Sequence, residues 1–206
     1  VALIDGLGLN RWQSESDAVP LLDRLHDRGT VTPLTSTYPS ETAAAMTTFQ
    51  TGALPAQHGS IGWNVYEPAT DEEFEALPYR TKDGDEPSFP RDSVADADPM
   101  ASELARAGID VRHVAPPVVE TGADTYHRYE DLDALGATLA EAVEASSDRS
   151  FVFAYLDHVD KASHEFGTDS EQYRETLASV CAQLERGLLD GLDERCVHVR
   201  RAVWIS

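Results

Sequence analysis

Residues 151–156, Phe-Val-Phe-Ala-Tyr-Leu, form the strongest strand signal in the chain, and helix-like sequence lies on both sides of them. Asp131 to Ala145 is rich in Ala and Leu with acidic residues spaced along it, the pattern of an amphipathic helix. Gln172 to Leu189 has apolar positions at 173, 177, 180, 184 and 188, again at helical spacing. The same alternation runs through the rest of the chain. Val1 to Ile4 is a short apolar run that stops at Asp5 and the Gly6-Leu7-Gly8 turn. Ala18 to His26 carries apolar residues at 19, 21, 22 and 25, with Gly29 as a stop, and Val31 to Thr35 reads as a second strand. Pro99 to Ala107 is a helix closed by Gly108, Ile109 to Val114 is strand-like, a loop with Pro116 and Pro117 follows, and Cys196 to Val199 reads as a last strand. Strand and helix in alternation predict a layered α/β fold with a largely parallel central sheet flanked by helices. At 206 residues the chain fits one domain, residues 1–206, interrupted at about 63–98 by a Pro-, Gly- and acid-rich stretch that reads as an irregular excursion or small hairpins.

Charge narrows the function classes. Thirty-seven acidic residues face 16 Lys and Arg, a net charge of −21, and Lys82 and Lys161 are the only lysines. Such a surface repels nucleic acid and anionic membranes, and it matches the acidic, lysine-poor surfaces of halophilic proteins. No run of 18 apolar residues occurs, so no segment is expected to span a membrane. The chain opens on Val-Ala-Leu-Ile-Asp without an initiator Met or a signal-like segment; its start reads as cut, and a cytoplasmic location is the favoured expectation. Cys181 and Cys196 lack C-x-x-C spacing, which agrees with a reducing compartment.

Two stretches carry chemistry. The first is Ser36 to Gly59, STYPSETAAAMTTFQTGALPAQHG, where Pro39, Ser40 and the run Ala43-Ala44-Ala45-Met46 predict a helix that begins near Ser40 to Thr42 and ends before Gly52. Thr42 then lies in the first turn, where outward N–H groups and the positive end of the helix dipole favour an anion and would stabilise an alkoxide. A threonine there can serve as a nucleophile, while Ser40 or Thr42 acting only as a helix cap explains the same residues. Trp63 and Tyr66 read as core aromatics or as the lining of a substrate pocket, with core the favoured reading.

The second stretch is DHVDKASHEFG, directly after the Phe151 strand. Asp160 and His164 are four apart, so on a helical turn they share a face and can grip one metal ion. Carboxylate with imidazole suits zinc or manganese better than calcium. Asp157 and His158 are rival ligands. Asp5 stands at the C-terminal end of its own strand, the edge where open α/β sheets bind ligands, although an Asp in that place also caps a turn.

Taken in order, LIDGLG, PSETAAAMTTFQTG, PAQHGSIGW and YLDHVDKASHEFG resemble the alkaline phosphatase superfamily in its type I phosphodiesterase/nucleotide pyrophosphatase branch, over nearly the whole chain. Pro39, Thr42, Gly52, Pro55 and His58-Gly59 follow that family's nucleophile segment, which selects Thr42 over Ser40 and Thr37. The resemblance implies an alkaline-phosphatase-like fold and two divalent metal ions, zinc or manganese, with Asp5 and Thr42 on one and Asp160 and His164 on the other. It implies a phosphothreonine intermediate at Thr42, with Asn64 as a holder of a phosphoryl oxygen at a spacing about one residue off. His58 is assigned to the turn after the nucleophile helix. The implied substrate is a small phosphoester, with nucleotides among the candidates; no motif speaks to the oligomeric state.

The chain also departs from that pattern. Relatives complete the site with an adjacent Asp-His after the next strand and a further His near the C-terminus, whereas residues 195–206 offer only His198. The expectation is therefore a fold incomplete at the C-terminus, a fragment whose metal sites are short of ligands and whose hydrolysis of phosphodiester or pyrophosphate bonds is impaired. The alternatives are a catalytically inactive α/β binding or interaction module, and a related phosphatase or phosphomutase.

Overall fold

The computed structural model describes residues 1–93, 95, 97–117, 125–190 and 203–205. In chain order the elements are β1 (Ala2–Ile4), α1 (Leu9–Glu15), α2 (Pro20–Arg28), α3 (Thr42–Thr51), α4 (Pro55–His58), β2 (Asn64–Glu67), β3 (Glu72–Glu75), β4 (Arg80–Thr81), a 3-10 turn at Arg91–Ser93 and α5 (Met100–Arg106). They continue through β5 (Asp110–Ala115), β6 (Thr125–Arg128), α6 (Leu132–Glu144), β7 (Ser150–Leu156), α7 (His158–Phe166), α8 (Glu171–Glu185), a π-helical turn at Arg186–Asp190 and β8 (Val203–Ile205). These residues gather into two compact units. One holds the described residues within 1–34, 112–117 and 125–205; the other holds those within 35–111.

The first unit carries the α/β sheet, ordered β6-β5-β7-β1-β8. β1 runs parallel to both β7 and β8, and β5 runs parallel to β6. Ala2, Leu3 and Ile4 face Ala154, Tyr155 and Leu156 in register, and the ladder extends by one bond from the Asp5 N–H to the Leu156 carbonyl at 3.0 Å. The expected fold class is the observed one. The strands read as continuous apolar runs because both faces are covered: Ile4 and Leu156 share one buried cluster with Leu135 and Leu139 of α6 and Tyr173, Leu177, Val180 and Cys181 of α8, and Leu3, Phe153 and Tyr155 on the other face are buried as well. Each fully buried side chain of this size contributes about 1.5–3 kcal/mol of transfer free energy.

In the second unit, α3 ends at Gly52, whose φ of 70° supplies the left-handed turn, and α4 follows at once. The 63–98 stretch contains the antiparallel sheet β2-β3-β4. Phe74, Tyr79 and Phe89 pack edge to face beneath it, with ring centroids 4.9–6.2 Å apart.

Several sequence expectations differ from the structure. Val31 to Thr35 forms no strand and is exposed. Pro33 cannot donate to a ladder, and none of the described strands pairs with the segment, so its β-branched residues have no sheet to join. α1 and β6 were not expected. α1 is short and begins at Gly8 without a side-chain cap, so its sequence carries little helix signal; packing of Trp12 into the core supplies the stability instead. Tyr66 is 54% exposed and donates to Asp71, so it is not a core aromatic. The Cys196 to Val199 strand, His198 and most of the terminal segment lie outside the described residues.

Candidate active site

The sequence-predicted residues fall in both units. In the first unit, Asp5 follows β1 and Asp157 follows β7. Because those strands are parallel neighbours, both carboxylates stand at the C-terminal edge of the sheet, each only 6% exposed. Asp160 and His164 lie on one face of α7, with His164 Nε2 3.5 Å from Asp160 Oδ2, as the four-residue spacing predicts. His164 is largely exposed and Asp160 is partly covered.

A single backbone feature brings Asp5 toward α7. Gly6 has φ of +80°, and a Cβ built there would stand 2.6 Å from Asp160 Cα and 2.7 Å from Asp160 N. Only a residue without a side chain allows this approach. From the other side, the Tyr173 hydroxyl donates to the Gly6 carbonyl at 2.9 Å and ties the turn to α8.

The acids feel one another. Burial, followed by the charge of Asp5, holds the Asp160 carboxyl above its ordinary range; Asp157 adds to this, while His164 and Lys161 oppose it. The Tyr155 hydroxyl donates to Asp5 Oδ2 at 2.6 Å, and burial together with the Asp5 charge pushes its pKa up. Lys161 Nζ is 2.8 Å from Asp157 Oδ2. Asp157 Oδ1 and His158 Nδ1 are buried without hydrogen bonds, 3.5 Å apart, and the His158 ring stacks on Tyr129 at 5.7 Å. Burial lowers the His158 pKa, opposed by Asp157.

Crowded carboxylates, one with an orphaned buried oxygen, and an imidazole on the same edge have the chemistry of a divalent-cation site. In number they fall short. Among the described residues no three His, Cys, Asp or Glu side chains are grouped to hold one ion.

In the second unit Thr42 is the first residue of α3 and partly buried. Neither Ser40 nor Thr42 caps the helix. The cap is Glu41, whose Oε2 accepts from Ala43 N at 3.0 Å and Ala44 N at 3.4 Å. The anion held by these N-terminal amides is therefore the chain's own carboxylate. His58 is 1% exposed; its Nδ1 accepts from Ser60 N at 3.1 Å, so Nε2 carries the proton and donates to Thr48 Oγ1 at 3.0 Å, joining α4 to α3. Asn64 opens β2, exposed and opposite Glu75.

Sequence reasoning passed over Tyr155 and Glu41. Tyr155 was legible as the residue two before Asp157, on the same strand face; Glu41 was hidden because Ser and Thr outrank Glu as caps.

The sequence profile of the type I phosphodiesterase / nucleotide pyrophosphatase family matches residues 1–205. The chain belongs to that family. Solved structures share its fold. Phosphonoacetate hydrolase from Sinorhizobium meliloti 1021, in complex with phosphonoacetate, is 18% identical with a TM-score of 0.63, covering 92% of this chain and 52% of its own. Murine ectonucleotide pyrophosphatase / phosphodiesterase 5, an inactive threonine-to-alanine form in complex with AMP, is 18% identical with a TM-score of 0.70, covering 93% of this chain and 52% of its own. The chain thus spans about half the length of the structures it matches. Among the described residues no helix is long and apolar enough to cross a membrane.

Proposed function

We propose that the chain carries the nucleophile and part of the metal-binding half of a hydrolase that cleaves phosphodiester or pyrophosphate bonds in small molecules. The observation that carries this reading is the set of acids at the C-terminal edge of two adjacent parallel strands, Asp5 after β1 and Asp157 after β7, with Asp160 and His164 on the helix that follows. Asp5, Asp160 and His164 are the residues that would hold divalent cations, zinc or manganese by donor type. Such cations would lower a hydroxyl's pKa and neutralise charge on the phosphoryl group.

Thr42 is the proposed nucleophile. Its Oγ would form a bond to phosphorus as the bond to the leaving group breaks, and water would then hydrolyse the phosphothreonine. Family membership and the inactive threonine-to-alanine form of the murine relative support this role. Asn64 is proposed as a holder of a phosphoryl oxygen on the resemblance alone. AMP and phosphonoacetate, the ligands of the related structures, indicate a small phosphorus-bearing anion as substrate.

The test compares the purified chain with its T42A variant for metal content and for hydrolysis of a chromogenic phosphodiester. Bound metal with turnover that T42A abolishes is the expected result; turnover equal to that of T42A would sink the catalytic reading. One observation favours a second reading, a catalytically inactive binding module: no group of three metal-ligating side chains occurs among the described residues. Such a module would bind a nucleoside monophosphate without turning over any diester.

A further inference from the structure

We propose that Tyr155 is a positioning residue that holds the Asp5 carboxylate in place for a divalent cation. The inference rests on the reading that Asp5 is a metal ligand. Tyr155 lies opposite Leu3 in the β1–β7 register, so Asp5, two residues further along β1, projects to the same face of the sheet. The tyrosine ring spans that offset and brings its hydroxyl to 2.6 Å from Asp5 Oδ2, a short, charge-assisted bond in a buried setting.

The bond is fixed from both ends. Tyr155 is 3% exposed, and its own carbonyl accepts from the Tyr129 hydroxyl at 3.0 Å. The peptide after Asp5 is held by the Tyr173 hydroxyl on the Gly6 carbonyl. A phenylalanine would fill the same volume at position 155, so packing does not require the hydroxyl. A buried hydroxyl costs free energy unless it is bonded, and this one is bonded to the side chain expected to face the ion. Partners that orient a ligand in this way change metal affinity about 10–100-fold when removed.

The experiment is a calorimetric Mn²⁺ titration of the wild-type chain, Y155F, D5A and the D5A/Y155F double variant, each checked by near-ultraviolet circular dichroism. Y155F is expected to keep its fold and bind Mn²⁺ about 10–100-fold more weakly, and the double variant to bind no more weakly than D5A. Additive losses in the double variant, or Y155F affinity within about twofold of wild type, overturn the inference and leave the metal reading standing. A Y155F chain without its near-ultraviolet spectrum assigns the hydroxyl to the fold and overturns the inference as well. A wild-type chain that takes up no Mn²⁺ overturns the metal reading itself, and this inference with it.

Discussion

Replacing Gly6 with alanine tests how the sheet edge is assembled. The new Cβ would meet Asp160 Cα at 2.6 Å and Asp160 N at 2.7 Å, and these are backbone atoms of the first turn of α7 that cannot rotate away. Opening the contact from 2.6 Å to the 3.4 Å of ordinary packing requires a shift of about 0.8 Å between Asp5 and α7. The φ of +80° adds a left-handed penalty of about 1–2 kcal/mol for a residue with a Cβ, and the overpacking adds about 1–3 kcal/mol. G6A should therefore lose about 2–5 kcal/mol in urea unfolding. Under the proposed function, a displacement near 1 Å in the catalytic constellation costs about 100-fold in rate, so the proposed T42A-sensitive phosphodiester turnover should fall by that order and the proposed Mn²⁺ binding should weaken with it. Gly8 is the internal control: its φ is −78° and a Cβ there meets nothing within 4 Å. G8A should keep wild-type metal affinity and change stability by less than about 1 kcal/mol. A folded G6A chain with wild-type Mn²⁺ affinity would refute the claim that this glycine sets the approach of Asp5 to α7.

Three further outcomes are expected. Burial lowers the His113 imidazole to about 4, where it packs edge to face against Tyr126 and Phe153. The folded state therefore binds fewer protons than the unfolded state between pH 4 and the ordinary value of 6.5, so the stabilisation is complete above pH 6.5 and declines as pH falls toward 4. Relative to H113F, the wild type should lose about 3 kcal/mol between pH 7 and 4, and parallel stability curves for the two proteins would refute the assignment. E41A removes the acceptor for Ala43 N and Ala44 N and should cost about 1 kcal/mol in thermal or urea unfolding; E41Q, which keeps an acceptor, should recover most of it. T48V removes the hydroxyl partner of the buried His58 Nε2, which also bonds the Ala44 backbone, and should destabilise the chain by about 0.5–1.5 kcal/mol, measured by the urea midpoint at constant slope.

The local pattern of residues was enough to place most of the elements of the sheet and both chemical stretches. Apolar runs ending in Asp identified β1 and β7, and four-residue spacing put Asp160 beside His164, because strand and helix periodicities depend only on near neighbours in the chain. The Thr42 helix and its Gly52 stop were legible for the same reason. Residues that depend on distant partners were not. Val31 to Thr35 has the composition of a strand but gains a strand's hydrogen bonds only if another strand lies beside it. The choice of Glu41 over Ser40 or Thr42 as cap is a matter of where a side chain lands once the turn is built.

What the sequence determined by itself was the family, the class of fold and the residue types of the candidate site, all of which are carried by order and spacing along the chain. Only the tertiary structure decided that Asp5 and Asp157 stand at one sheet edge, that Gly6 is pressed against Asp160 and that Tyr155 reaches Asp5. These contacts join residues about 150 positions apart, and they exist because β1 pairs with β7 in one register. A shift of that register by one residue would turn Tyr155 to the opposite face and leave Asp5 without its buried donor.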